Sequence, residues 1–348
     1  MQLQYISVTL VAFLISAISF ARPAKCAPAR SPSSILSRNV ARSISASVHD
    51  IYDFPKGTWV ENLAVRSNGQ ILVTLLSSPQ IYQVNPFQTP SATLVHTFPT
   101  LGCLGITELG NDIFYVATGN LSLSTFTAPP GTFSVWKVDM TSFSTSNANS
   151  AIVTKVADFP QVVAFNGMTT FNGFLLIADS GAGAVWSLNV NNGQKSKVIS
   201  DPLMKPTSAV GPTGVNGIKV RDNTLYFTNT NQAIWAQVAL NSDGTAAGSA
   251  TVVVPNFVAG DDFQFDYIGD ALFAGNNELR ARAVTGGSVV TASTDALLVG
   301  STACEFGRTG SDWSSLYVST NGGINGYLTG TFTQPGRVVR VDANISFK

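Results

Sequence analysis

The sequence predicts an all-β fold, a six-bladed β-propeller of four-stranded antiparallel blades, on three observations. A short apolar strand recurs six times at a spacing of roughly 45–60 residues, within the range of propellers and solenoids. Each copy is preceded by a similar opening segment and followed by a second strand. Thirty Gly and sixteen Pro are spread along the 348 residues, which implies many turns and no helical bundle.

The recurring strands are Ile71–Thr74, Ile113–Ala117, Leu175–Ala178, Leu225–Thr228, Ala271–Ala274 and Leu316–Ser319. They are fully apolar or alternate with period two, and no window carries a capped helical stripe. Their openings are Glu61–Val65, Cys103–Thr107, Asn166–Thr169, Asn216–Val220, Asp261–Phe265 and Cys304–Gly307. Five strong following strands, Gln80–Val84, Ser134–Val138, Ala184–Leu188, Ala233–Gln237 and Arg337–Val341, are joined by a weaker one at Glu278–Ala281. Trp136, Trp186 and Trp235 stand at what reads as one repeat position, where they are expected to pack between neighbouring units. His49–Phe54 is the candidate to complete the last blade and close the ring. Two packed sandwiches are the alternative, but they predict no sixfold opening.

Composition narrows the function. Only 11% of residues are charged, and twenty basic residues balance twenty acidic ones, so no nucleic-acid partner is indicated. His49 and His96 are the only histidines, which excludes an HExxH zinc protease and disfavours a Ser-His-Asp hydrolase. Tyr5–Ala21 is an apolar run ending in a small-x-small pattern. It reads as a signal peptide over residues 1–21, being too short for a stable membrane anchor. Residues 22–47, rich in Ser, Pro and Arg, read as a disordered leader, leaving residues 48–348 for the propeller. Residues 1–47 hold five basic and no acidic residues, so the remaining chain has 15 basic against 20 acidic. A secretory or secreted monomer is expected, with sequons at Asn120 and Asn344. In that compartment Cys103 and Cys304 are the expected disulfide, with three unpaired thiols the alternative.

In a propeller the first strand of each blade lines the central channel, and its opening residue projects at one mouth. That places Glu61, Cys103, Asn166, Asn216, Asp261 and Cys304 around one opening. Two carboxylates and two amides form an oxygen donor set suited to Ca²⁺, Mg²⁺ or Mn²⁺ more than to a soft metal. Taken singly, Asn-Gly is commonly a turn and a loop carboxylate is commonly solvated.

With these residues the chain resembles the gluconolactonase/regucalcin-like six-bladed propellers. Phe165-Asn166-Gly167, Val215-Asn216-Gly217-Ile218 and Asp261, with Glu61, match that group's site positions, and the resemblance implies a metal on Glu61, Asn216 and Asp261. Asp262 stands where Gly is usual, and Trp59-Val-Glu-Asn-Leu replaces Glu-x-Pro-x-Trp. The segments at 59–66, 102–106, 260–263 and 303–308 resemble a fungal, signal-peptide-bearing branch that includes hetero-Diels–Alderases of tropolone-sesquiterpenoid pathways. That resemblance implies an enzyme joining a humulene-type alkene to a tropolone o-quinone methide in a dihydropyran ring. It needs no cofactor. The alternative is a divalent-metal-dependent lactonase.

A cycloaddition needs two apolar reactants held face to face and a donor aimed at the quinone-methide oxygen. Glu61, Asn166, Asn216 and Asp261 are the candidate catalytic residues, with Arg308 a further donor and Glu305 a further acid. Trp59, Asn62, Asp262, Phe263, Glu305, Phe306 and Arg308, adjoining the openings, are the candidate substrate-binding residues. For the aromatic ones, packing between blades is the competing role.

Overall fold

A computed structural model describes residues 44–147, 150–209, 211–257 and 260–345, with the backbone alone at 44, 45, 344 and 345. The expected signal peptide, and the leader up to residue 43, lie outside the described residues. The described chain opens with β1 (Ile44–Lys56), so four residues assigned on composition to the leader are strand. Their reason for ordering is β24 (Pro335–Ile345), which pairs antiparallel with β1 from Ile44↔Ile345 onward.

Six four-stranded sheets follow one another around a ring. Blade 1 holds β2 (Val60–Val65), β3 (Ile71–Leu75), β4 (Gln80–Asn85) and β5 (Ser91–Thr97). Blade 2 holds β6 (Gly102–Glu108), β7 (Ile113–Gly119), β8 (Phe133–Asp139) and β9 (Ile152–Phe159). Blade 3 holds β10 (Phe165–Phe171), β11 (Phe174–Asp179), β12 (Ala184–Leu188) and β13 (Lys195–Ser200). Blade 4 holds β14 (Val215–Arg221), β15 (Thr224–Asn229), β16 (Ile234–Ala239) and β17 (Thr251–Val254). Blade 5 holds β18 (Phe263–Phe265), β19 (Ala271–Gly275), β20 (Glu278–Arg282) and β21 (Val290–Ser293). Blade 6 holds β22 (Ser301–Phe306), β23 (Ser315–Thr320), β24 and, as its outer strand, β1. The expected closure therefore occurs: the last blade takes its outer strand from the start of the described chain, tying the ring shut.

The inner strands approach closely, which explains the Asn-Gly pairs. Asn166-Gly167 and Asn216-Gly217 form no turn; they lie in β10 and β14. A Cβ on Gly167 would stand 2.7 Å from the Asn216 carbonyl oxygen, and one on Gly217 2.7 Å from that of Asp261. Glycine is needed there for backbone approach. Hydroxyls of one blade then satisfy carbonyls of the next: Thr74 Oγ1 donates to Leu104 O, Thr228 to Asp261 O, and Thr302 to Val60 O across the closure.

Cores fill the wedges between blades. Trp186 stands edge-on to Phe159 of blade 2 at 5.8 Å, and Trp136 to Phe98, just before blade 2, at 5.6 Å. Trp235 faces the other way, against Phe263 and Phe273 of blade 5. The register explains this. Trp136 and Trp186 pair with Val116 and Ile177, but Trp235 pairs with Thr228, one residue beyond the matching Phe227. A one-residue offset in a strand turns the side chain to the opposite face. Each aromatic pair contributes about 0.5–1.5 kcal/mol beyond its burial.

The disulfide expectation is overturned. Cys103 and Cys304 are free and buried. Cys103 packs in the core between blades 1 and 2, and Cys304 in the separate core between blades 5 and 6. Cys26 lies outside the described residues. Among the described residues, no helix is long and apolar enough to cross a membrane.

Candidate active site

The inner strands all begin at one end of the channel, and there a cavity of about 510 Å³ opens. It falls within the size range of small-molecule sites. Of the six opening residues, Glu61, Asn166, Asn216 and Asp261 line it, as does Trp59. The two cysteines do not. In β6 the lining position belongs to Leu104, because a bulge between Cys103 and Ile106 shifts the strand. Blade 6 contributes Ser301, since β22 begins three residues before Cys304.

Glu61 and Trp59 form a unit: the indole Nε1 donates to Glu61 Oε2 at 2.5 Å. The Trp59 ring is itself held by Tyr327 at 4.7 Å and by Phe126 at 6.0 Å. Burial pushes the Glu61 carboxyl up to about 7; the Trp59 bond opposes this and the Asp262 charge adds to it. Asp261 is also raised well above the usual carboxylate range, by burial first and then by the charges of Glu61 and Asp262, against a bond from Asn216. Two acids facing one cavity disfavour each other's ionisation. Asn216 donates through Nδ2 to Thr230 Oγ1 at 2.9 Å, while its Oδ1 is buried without a partner.

Several predicted substrate-binding residues are elsewhere. Asn62 and Asp262 lie inside the channel, beneath the cavity floor. Asp262 accepts from Asn62 Nδ2 at 3.2 Å and from Lys219 Nζ at 2.9 Å, so blades 1, 4 and 5 are tied across the axis. Lys219, Glu305 and Arg308 line a smaller, polar hollow of about 270 Å³ at the opposite end. Arg308 there donates to Val65 O at 2.9 Å and pairs with Glu108. Glu305 accepts from Gln264 at 2.6 Å, and burial holds its carboxyl above the ordinary range. These positions follow from strand direction: residues after the opening travel down the channel, away from the cavity. Phe263 is fully buried between blades 4 and 5, and Phe306 packs against the blade 5–6 core, so both take the packing role.

The cavity also holds residues that the repeat pattern did not single out. Leu121 and Phe126 come from residues 120–132, between β7 and β8; Asn321, Ile324 and Asn325 come from residues 321–334, between β23 and β24. Their signal in the sequence is length, because blade 3 spans the same connection with residues 180–183 alone. Phe126 adopts φ 53°, a left-handed conformation unfavourable for a bulky side chain, and is held there by its N–H to Ser122 O. A short helix, α1 (Asn325–Thr329), brings Tyr327 over Trp59. The expected glycosylation residue Asn120 is half-buried beside this loop and accepts from Leu101 N; the Asn344 side chain lies outside the described residues.

Chemically, the site offers a mixed apolar and amide-lined cavity with two acids whose carboxyls are both held above the ordinary carboxylate range. Neither histidine lines it, and no serine–histidine or cysteine–histidine pair is present among the described lining residues. The donor types do fit a hard divalent cation, since two carboxyls flank an amide oxygen that lacks a partner.

No model of a known protein family matches the chain. It is 29% identical over 310 residues to a candidate hetero-Diels–Alderase from Phoma sp., covering 78% of this chain and 86% of that one. A second candidate hetero-Diels–Alderase, from Sarocladium schorii, is 27% identical over 207 residues, 51% of this chain and 50% of the other. Among solved structures, the calcium-binding protein regucalcin from Agrobacterium tumefaciens superposes with a TM-score of 0.61 at 16% identity, over 86% and 94% of the two chains. That last likeness concerns the fold.

Proposed function

We propose that the chain is a hetero-Diels–Alderase whose active site is the cavity at the openings of the inner strands. The cavity carries the reading: it is large, walled in part by aromatic and aliphatic side chains, and contains polar groups without an activated nucleophile. The names of the two curated relatives point to the same chemistry.

In the reaction, the four-atom C=C–C=O unit of an o-quinone methide adds across an alkene. One C–C and one C–O bond form while the π system moves, and no atom leaves. A humulene-type sesquiterpene and a tropolone quinone methide are the proposed partners, giving a dihydropyran. Holding both reactants in register supplies most of the acceleration, since orientation alone contributes roughly 7–11 kcal/mol. The chain adds a polarising contact. As charge shifts onto the heterodiene oxygen, a donor from Asn166, or the protonated carboxyl of Glu61, lowers the barrier. The Trp59 bond fixes one Glu61 oxygen and leaves the other for this contact. When the quinone methide arises from a hydroxymethyl precursor, the same carboxyl can protonate the departing hydroxyl as its C–O bond breaks, and the carboxylate left behind takes the proton of the ring hydroxyl that becomes the heterodiene carbonyl, so that water is the one group lost.

The reading includes a secretory route, glycosylation at Asn120 and Asn344, and a monomer free of nucleic-acid or membrane attachment. It is supported by the apolar Tyr5–Ala21 run, the sequons and the self-closed ring.

The test is adduct formation by EDTA-treated protein given a humulene alcohol and a hydroxymethyl tropolone, read by chiral separation and mass spectrometry. Enantio-enriched product above the spontaneous background is expected. Racemic product at the background rate would defeat the reading for these substrates.

The unpartnered Asn216 oxygen favours a second reading, a metal-dependent lactonase. A Ca²⁺ or Mg²⁺ held by Glu61, Asn216 and Asp261 would supply Lewis-acid polarisation of a carbonyl. Glu61→Gln should then abolish turnover of a lactone panel in added Ca²⁺; an unchanged rate would end that alternative.

A further inference from the structure

The lining of the cavity is divided by blade. Trp59, Leu76, Leu104, Leu121, Phe126 and Phe165, from blades 1 to 3, pack together as one apolar patch, with Glu61 and Asn166 at the strand openings beside it and blade 6 closing the ring between the two sides. Across from it, blades 4 and 5 and the segments entering them present Thr213, Asn216, Thr230, Asp261, Asn276 and Asn277. Pro212 and Gly260 are the remaining lining residues of that side, so no large apolar side chain interrupts it.

Asn216 sharpens the division. It is only 5% exposed, and its amide nitrogen is engaged by Thr230, yet Oδ1 meets no donor. A buried acceptor left unpaired is unfavourable, and a ligand that donates a hydrogen bond removes the deficit. A ligand bearing oxygens without protons does not meet that need. A hydroxyl does.

We propose that the two walls are separate subsites: an oxygenated, hydroxyl-bearing planar partner seats against blades 4 and 5 and donates to Asn216 Oδ1, while a hydrocarbon alkene lies on the apolar wall of blades 1 to 3. This rests on the cycloaddition reading of the same cavity and adds which partner occupies which wall. The reacting faces meet along the boundary between the walls, beside Glu61. Asn216 is then a specificity residue, selecting a free hydroxyl over its ether.

Isothermal titration of the full chain in EDTA tests the assignment, with tropolone, tropolone methyl ether and α-humulene as probes. Tropolone should bind at least about tenfold more tightly than its methyl ether. This comparison uses the wild-type protein and needs no variant to fold. Asn216→Leu should weaken tropolone by a similar factor and leave α-humulene within about twofold; Phe126→Ala should do the reverse. Equal binding of tropolone and its ether would overturn the proposal, as would equal weakening of both probes by both variants. Tropolone binding that disappears in EDTA would also overturn it, assigning the contact to a cation. Catalysed adduct formation without such a division removes the subsites and leaves the cycloaddition; a division without adduct formation does the opposite.

Discussion

Lys219 sits inside the channel with both oxygens of Asp262 at 2.9 Å and the Asn62 amide on the far side. Burial works against its charge, but Asp262 and Glu305 together hold the ammonium above its ordinary pKa. Removing one partner of a buried ion pair leaves the other uncompensated. Lys219→Met is therefore expected to destabilise the fold by about 3–5 kcal/mol in urea titration; a loss under about 1 kcal/mol would show that the pair is solvated. Glu305, nearby, has the opposite sign. Its folded pKa is raised, so as pH climbs past the unfolded value the unfolded chain loses its proton first, and stability falls. Glu305→Gln should match the wild type near pH 4 and become the more stable of the two as pH rises. Denaturant midpoints across that range check it, and parallel curves would contradict it. At the mouth, Glu61→Gln keeps an acceptor for Trp59 but removes the acidic proton. Adduct formation should slow about 10²-fold with probe affinity retained, the size of a lost general acid. Single-turnover rates and titration together read that split.

β1 carries the closure of the ring. It contributes the outer strand of blade 6, and its pairing with β24 spans residues 44–56. Deleting residues 1–57 should expose the edge of β24 and abolish cooperative unfolding by circular dichroism; a cooperative transition at the wild-type midpoint would contradict the closure. At this scale most of the fold was legible in the sequence. The six apolar runs became β3, β7, β11, β15, β19 and β23, and each proposed second strand was found beside them, the weak Glu278–Ala281 run included. The alternation of a strand exposes its partners in the sequence, so repeats of strands are readable. Register is less so. Trp235 looked equivalent to Trp186 because both sit in similar five-residue runs, yet one residue of slip sends it to the opposite blade. The cysteines misled for a related reason. Two lone cysteines in similar openings suggest a pair, but equivalent positions in different blades are distributed around a ring and face separate cores.

For the molecule as a whole, the ring gives a channel with two unlike ends. The wider cavity lies where the inner strands begin, the narrower polar hollow lies opposite, and the Asn62–Asp262–Lys219 layer stands between them. The sequence located the acidic and amide residues of the wider end because they repeat. It did not locate Phe126, Leu121 or Tyr327, which come from connections that break the repeat, nor separate Glu305 and Arg308 from the cavity, since proximity in sequence does not tell which end of a strand a residue reaches. On this reading, the cavity works by orienting two reactants for cycloaddition. The most direct measurement of that compares the single-turnover rate of enzyme-bound substrates with the second-order rate of the same pair free in buffer, in EDTA. Their ratio is an effective molarity. The expected value approaches about 10⁵ M, the lower range for well-oriented reactions, with one enantiomer in excess. A ratio near the concentration of the free reactants, with racemic product, would contradict it.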